Sequence, residues 1–519
     1  KEPAAAHDAL SGAGIVNSHQ PHIYADAQGS VWLVARPRVP SDTRKKANQG
    51  SWEYRAIHLE GGQWSAPVVL PNSKGRSSTR MGGALAKDGA LWVAWDSHNP
   101  QPQYAHRPLR QQVFAASLAA RPAAAPQLRA ANNDEVPDMG GHANEAADLK
   151  AIRSYTANGW KIVRGDFHRH TELSWDGGGA GDGSLLENYR YFIDAAAMDF
   201  GASTDHQGGL FPYWWWYSQK MTDMFHVPGA YAPIFGYERS AVYPNGHRNV
   251  FFARRVDSRV TPWHLKPDSQ GFQLPVGPQG DEPGVGTGEL VENDTKLLYE
   301  DVRPRKGLVI SHTSGTRMGT DWRDNDPALE PVVEIFQGAR TNYERADAPH
   351  AAQQDKDGPH VKQAGYQPLG FMNHAWGKGY KLGIIASSDH GSTHISYAMV
   401  YTADTSRQGI LDAIHKRHTY GAMDNIILDV RMGRWFMGDE FTLTKPQPIS
   451  IRVRGTKPIA MVEVIKDSQV IYSAAPKTQD VKLEYTDKGD VNGRHYYYVR
   501  VRQEDSLLAW SSPFFINYK

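Results

Sequence analysis

The sequence predicts an α/β protein in which a central α/β domain is flanked by an N-terminal β domain and a C-terminal antiparallel β-sandwich. Three observations carry this. The 519 residues exceed one ordinary core and suggest about two to four domains of roughly 100–200 residues each. Between residues 151 and 435, apolar β-type runs such as Leu308-Val309-Ile310 and Leu382-Gly383-Ile384-Ile385-Ala386 alternate with helical stretches such as Leu185 to Met198. That alternation is the signature of a largely parallel sheet with crossover helices. On both sides of it, short runs with period-two alternation are separated by turn residues instead.

Residues 1–115 form the N-terminal β domain. Gly29-Ser30-Val31-Trp32-Leu33-Val34 and Gly89-Ala90-Leu91-Trp92-Val93-Ala94 repeat a G-x-(V/L)-W pattern, and Gly61 to Pro67 makes a turn into Val68-Val69-Leu70 between them. The unit is similar to pieces of a β-propeller blade, although two copies cannot close a propeller of typically four or more blades. Two unrelated antiparallel hairpins fit the same residues. Residues 116–150 turn to Ala, Pro, Asn and Asp with little periodicity and read as a linker. Residues 436–519 form the sandwich, from Ile449 to Arg454, Met461 to Ile465 and His495 to Val501, all alternating.

Composition narrows the chemistry. Lys plus Arg number 57 and Asp plus Glu 56, a net charge of +1, so no basic field is available to grip nucleic acid or an anionic bilayer. With 40% hydrophobic and 22% charged residues the chain reads as globular. No apolar run approaches the roughly 18 residues of a membrane span. There is no cysteine, which removes disulfides, thiolate zinc sites, iron–sulfur clusters and cysteine nucleophiles together, so any metal must use nitrogen and oxygen ligands. A chain that begins at Lys1 predicts a processed or trimmed N-terminus, and with the missing cysteines points to a periplasmic or secreted protein.

The polar residues of the α/β region follow its apolar runs, where open sheets and barrels keep their active sites. Trp160 to Val163 leads into Gly165-Asp166-Phe167-His168-Arg169-His170-Thr171. On an extended strand His168 and His170 point to the same side and can share one cation. Alone, an H-x-H also describes two surface histidines. Ser174-Trp175-Asp176-Gly177 adds a carboxylate in a Gly-rich loop, Thr204-Asp205-His206 ends the next unit, and Ile234 to Tyr237 ends in Glu238. His247 follows in Gly246-His247-Arg248-Asn249, Val309-Ile310-Ser311 ends in His312, and Ile385 to Ser388 ends in Asp389-His390. Successive β-type runs ending in His, Asp or Glu predict a ring of ligands around a polynuclear metal centre.

In that order the motifs resemble the PHP (polymerase and histidinol phosphatase) superfamily of metal-dependent phosphoesterases, and within it the large exported branch formerly catalogued as a domain of unknown function. The resemblance covers about residues 160–430. It implies a distorted (β/α)7 barrel holding two or three divalent ions, usually zinc, manganese or iron. Position by position it implies that His168 and His170 open the site and that Asp176, His206, His247, His312 and Asp389 are further ligands, with Glu238 bridging two metals. One departure stands out, because the family closes with D-x-H whereas here His390 follows Asp389 at once. Either His390 takes the ligand role, or His394 reaches back, or the third metal is weakly held.

A carboxylate between two cations suits a bridging hydroxide and in-line attack on phosphorus, with no protein nucleophile. Asp205 and His390 are the candidates to protonate the leaving group, and outer-shell hydrogen bonding is their plain alternative. Arg340 is placed to hold a phosphate bidentately, or is an ordinary ion-paired arginine; nearby Tyr343 and Glu344 are candidates to line the same substrate pocket. Trp214, in Phe211 to Tyr217, belongs either to a substrate wall or to core. Residues 271–288 read as a long loop, a lid or an insertion. The predicted partner is a small-molecule phosphate ester, with no nucleic acid and no membrane span, and the predicted activity is metal-dependent hydrolysis of phosphate mono- or diesters. The alternatives are an amide or ester hydrolase on the same barrel and a non-catalytic glycan- or surface-binding protein. The sequence leaves the oligomeric state open.

Overall fold

Strand-forming residues dominate the chain, and the computed structural model is a strand-rich mixed α/β protein with few helices. It describes residues 18–25, 29–39, 51–60, 62–73, 81–98, 111–119, 144–174, 182–207, 210, 212–241, 243–266, 290–338, 341–351, 365–489 and 491–519. Asp176, Arg340, the 271–288 loop and most of the predicted linker lie outside these residues. The chain divides into two units, Lys1–Gly141 with Asp176–Glu187 and Phe211–Tyr213, and His142–Trp175 with Asn188–Leu210 and Trp214–Lys519.

In the first unit Ser18–Ala25, Val31–Val39, Arg55–Glu60 and Gln63–Trp64 pair in that order, and Met81–Leu85, Leu91–His98 and Gln111–Leu118 make a second, three-stranded sheet. Trp32, Val34, Tyr54, Leu70, Leu91, Val93 and Trp95 share one core. The two G-x-(V/L)-W copies are not equivalent in it. Trp32 is 1% exposed, whereas Trp92 is 53% exposed because Leu91 and Val93 face inward there. Side chains alternate faces along a strand, so a shift of one residue sends the second tryptophan to the outer face.

In the second unit the pairings run through two sheets. Trp160–Asp166 lies parallel to Phe200–Gly201, which lies parallel to Ala232–Pro233. The chain continues into Phe235–Ser240, which pairs with His247–Phe252, then Leu308–Ser311, Val332–Gln337 and Gly383–Ser387. Isolated bridges join His206 to Glu238 and return from Asp389 to Arg169, just beyond the first strand. Gly165 pairs with Phe200, and a Cβ there would overlap the Phe200 ring, so this close crossing needs glycine.

The sheet is less parallel than expected. His247–Phe252 is antiparallel to both neighbours, because only residues 241–246 separate it from the preceding strand, and a parallel return needs a crossover of roughly a dozen residues or more. The helical stretch from Leu185 also differs: an α-helix covers Leu185–Arg190 and gives way to a π-helical turn at Tyr191–Ala195.

Thr419–Ala422 pairs with Leu508–Ser511, so Gly493–Gln503, Ile459–Lys466 and Gln469–Ala474 extend the sheet that contains Trp160–Asp166. A four-stranded sheet of Trp435–Phe436, Ile427–Met432, Ile449–Arg454 and Asp480–Tyr485 accompanies it. Ile449, Ile451 and Val453 are buried while Arg452 and Arg454 are exposed, the alternation of a strand with one covered face. Trp322, Ile335, Phe336, Trp376, Ile465, Tyr498 and Trp510 pack into one core. Within it Glu344 is fully buried. It accepts from Arg500 Nη1 at 2.9 Å, Tyr498 Oη at 2.6 Å and Trp510 Nε1 at 2.9 Å.

Candidate metal centre

The ends of these strands bring buried imidazoles and carboxylates together. His168 and His170 follow Trp160–Asp166, His206 follows Phe200–Gly201, Glu238 and His247 lie on adjacent antiparallel strands, His312 follows Leu308–Ser311, and Asp389 follows Gly383–Ser387. All seven are buried.

They form two groups about the two oxygens of Glu238. Oε2 lies 3.3 Å from His168 Nε2 and 3.0 Å from His170 Nε2. Asp389 Oδ1 lies at the same two distances from the same atoms, and the two Nε2 atoms are 3.2 Å apart. Oε1 faces His247 Nδ1 at 2.5 Å, His206 Nδ1 at 3.4 Å and His312 Nε2 at 3.6 Å.

These atoms fit a metal better than they fit one another. One imidazole N–H cannot serve two carboxylates and a second imidazole at once. Two ligands bonded at about 2.0–2.1 Å to a tetrahedral ion stand roughly 3.3 Å apart, and the separations around Oε2 run from 3.0 to 3.3 Å. Glu238 Oε1 and His312 Nε2 are buried without a hydrogen bond, a costly condition in a packed interior unless another group satisfies them. Triads His168–His170–Asp389, His168–Glu238–His312 and His170–His206–Glu238 each bring one ligand atom per residue within 4.8 Å of the others.

The cluster titrates unevenly: burial works against a charged His168 imidazole, but Glu334 and Asp389 hold its pKa well above the ordinary value. Burial works against the Glu238 carboxylate, but His206, His312 and His247 around it hold its pKa well below the ordinary range. Burial, reinforced by neighbouring His168, pushes the His312 imidazole well below its ordinary value, so it is neutral, the form that ligates a cation.

Other side chains orient these candidate ligands. His168 Nδ1 lies 3.2 Å from both oxygens of Glu334, the carboxylate–histidine pair that sets the tautomer of a ligating imidazole. His170 Nδ1 meets Ser174 Oγ at 3.0 Å, His206 Nδ1 also contacts Ser240 Oγ, and His312 Nδ1 meets Thr313 Oγ1 at 2.7 Å. Asp166 accepts from the backbone of His168 at 3.0 Å and of Ser388 at 3.3 Å, tying the first strand end to the last. Asp389 has φ +69°, a left-handed conformation that Asp tolerates better than most residues, and its backbone N–H donates to His168 O at 2.8 Å.

The remaining sequence-predicted residues are placed as follows. Asp205 is buried and accepts from Thr171 N at 2.6 Å, Thr171 Oγ1 at 2.9 Å and Ser203 Oγ at 2.9 Å, which holds the turn after His170. His390 stacks on His170 with centroids 4.4 Å apart and stays 12% exposed. His394 Nδ1 is 2.7 Å from Tyr191 Oη. Tyr343 is fully buried and donates to Gln337 Oε1 at 2.9 Å, and Thr313 Oγ1 donates to the same oxygen, so Tyr343 stands behind His312. Trp214 lies in the Pro212–Met224 helix, 8% exposed, with its edge to Tyr217. Sequence reasoning gave no role to Glu334 or Asp166. A lone carboxylate inside the apolar run Val332-Val333-Glu334-Ile335-Phe336 is the signal that marks Glu334, since buried carboxylates are nearly always paired.

No family model matches the chain. Among curated proteins, an uncharacterized protein of Chlamydia pneumoniae is 24% identical over 364 residues, covering 63% of this chain and 54% of that one. An uncharacterized protein of Chlamydia trachomatis is 26% identical over 288 residues, covering 46% and 45%. The chain thus spans about half the length of the curated relatives it matches. Among solved structures, fibronectin(III)-like modules of Clostridium thermocellum CbhA cover 18% of this chain and 96% of their own at 16% identity and a TM-score of 0.13. A two-domain protein of Bacteroides vulgatus, containing a predicted PHP-like metal-dependent phosphoesterase, is similar over 70% of this chain and 98% of its own, at 13% identity and a TM-score of 0.33.

Proposed function

We propose that this protein is a metal-dependent hydrolase of phosphate mono- or diesters, with its centre at one end of a distorted (β/α)7 barrel of the PHP type. The observation that carries the hydrolase reading is Glu238, whose two oxygens each face a separate set of buried imidazoles. The isolated bridges from His206 to Glu238 and from Asp389 to Arg169, which link the two sheets, support the barrel. Phosphate as the substrate rests on the motif series read in the sequence.

In this reading His168, His170, Glu238 and Asp389 would hold one divalent cation, and Glu238, His206, His247 and His312 would hold a second. His390 and Asp176 are the candidates to complete a third site. Zinc, manganese and iron all accept such nitrogen and oxygen donors. Cations held there supply Lewis acidity, lowering the pKa of a coordinated water and neutralising phosphoryl oxygens. The protein's own part is positional. Glu334 holds the His168 ring in one tautomer, Asp205 fixes the turn after His170, and Asp166 and Arg169 hold the Asp389 turn through backbone contacts. Arg340 is the proposed phosphate clamp.

Elemental mass spectrometry of protein purified without chelator, paired with assays on bis(p-nitrophenyl) phosphate and p-nitrophenyl phosphate, tests the reading. We expect about two or three equivalents of metal, nitrophenol release that a chelator abolishes, and recovery on adding Mn²⁺ or Zn²⁺. Bound metal without phosphate chemistry moves the reading to amide or ester hydrolysis, and absence of metal overturns the centre. Glu334→Gln is expected to weaken metal binding about 10–100-fold, as loss of a second-sphere carboxylate does, with the fold intact by circular dichroism.

A further inference from the structure

Departure of an alkoxide needs a proton, and the two residues first suggested by the sequence are otherwise engaged. Asp205 is buried and accepts from Thr171 and Ser203. His390 stacks on His170 beside Asp389. The turn that continues from Asp389 carries a different group. Tyr191 Oη lies 3.0 Å from Ser392 Oγ and 2.7 Å from His394 Nδ1. His394 Nε2 in turn lies 3.5 Å from Glu145 Oε1. Tyrosine, histidine and carboxylate thus stand in line, with His394 five residues after Asp389.

Two further features accompany this line. Tyr191 opens the π-helical turn Tyr191–Ala195, closed by Ala196 N–H to Tyr191 O at 2.8 Å. Such a turn is rare and is frequently found at functional sites. Gly391, between His390 and Ser392, has φ +78°, is exposed, and would place a Cβ with no described atom within 4 Å, so the turn borders open space among the described residues. Arg169 Nη2 holds its carbonyl at 2.6 Å. The side chains of His394 and Glu145 are each 23% exposed, which connects the line to solvent.

We propose that Tyr191 is the proton donor to the leaving oxygen, with His394 and Glu145 as positioning residues behind it; this rests on the hydrolase reading above. The Tyr191 hydroxyl proton passes to the departing alkoxide as the phosphorus–oxygen bond breaks. A proton on His394 Nδ1 passes to Tyr191 Oη as His394 Nε2, which faces Glu145 Oε1, takes one from solvent. The donor favours esters of poorly leaving alkyl alcohols, since a nitrophenolate departs without protonation.

The test compares metal-loaded wild type, Tyr191→Phe and His394→Gln on glycerol phosphate and p-nitrophenyl phosphate. A general acid contributes about 100-fold or more, so the loss in kcat for Tyr191→Phe is expected to be at least about tenfold greater on the alkyl ester than on the nitrophenyl ester. Equal losses on both substrates, or none, overturn the donor while leaving the hydrolase reading in place. A metal-loaded wild type that turns over neither ester brings down the phosphatase reading instead. Histidine ¹⁵N NMR of the wild-type protein supplies a readout free of turnover: the signal that disappears in His394→Gln is expected to shift in both Tyr191→Phe and Glu145→Gln. A signal unmoved by either substitution overturns the line itself.

Discussion

Glu238→Gln is expected to remove most of the bound metal and to reduce turnover below detection. Gln keeps the shape of Glu but replaces a carboxylate by one neutral oxygen and an N–H donor, which cannot ligate from both ends. The side chain faces His168 and His170 through one oxygen and His206, His247 and His312 through the other, so both groups lose their shared anion. The loss of metal affinity should exceed the roughly 10–100-fold expected at Glu334, which touches a ligand rather than a cation. Elemental analysis of the purified variant checks this, with circular dichroism reporting on the fold. A variant that stays fully metallated and active contradicts the assignment of Glu238.

Glu344→Ala is expected to produce the largest loss of stability. The residue is fully buried and is the acceptor for Arg500, Tyr498 and Trp510. Truncation leaves a guanidinium whose side chain is 4% exposed with Glu463 as its remaining carboxylate partner, and leaves an indole N–H and a phenol without the acceptor they had. Breaking a buried ion pair from one side costs about 3–5 kcal/mol. Denaturation by urea should show an earlier midpoint for Glu344→Ala. Glu344→Gln, which keeps an acceptor oxygen for only one of Trp510 and Tyr498 because the two donate to different oxygens, should fall between it and wild type. Metal content per folded molecule should stay at the wild-type level, which separates this carboxylate from Glu238. An unshifted midpoint would show that the network contributes little.

These two glutamates show what local sequence carries. Glu238 ends the apolar run Ile234-Phe235-Gly236-Tyr237, and that pattern marks it as the acidic residue closing the run, although the strand continues to Ser240. Glu344 lies in a segment without periodicity near Tyr343 and Arg340, and nothing adjacent distinguishes a pocket-lining carboxylate from one buried under Trp510. Its partners are 154 to 166 residues away in the chain. The tryptophan repeat teaches the same lesson. Gly29 to Val34 and Gly89 to Ala94 match as text, yet Trp32 and Trp92 point to opposite faces, because the face is set by which sheet packs on which side.

The sequence by itself determined that metal ligands here must be nitrogen and oxygen, that the mixed α/β region ends its apolar runs in His, Asp and Glu, and that His168 and His170 share a side. Each follows from composition or from a backbone period spanning a few residues. Only the tertiary structure decided that the two oxygens of Glu238 face different imidazoles, that His247 returns on an antiparallel strand, that Tyr343 stands behind His312, and that Tyr191 reaches His394. Those outcomes depend on side chains brought together by long-range packing, as with His168 and Glu334 at a separation of 166 residues, and burial of that kind is a property of the assembled core rather than of any segment within it.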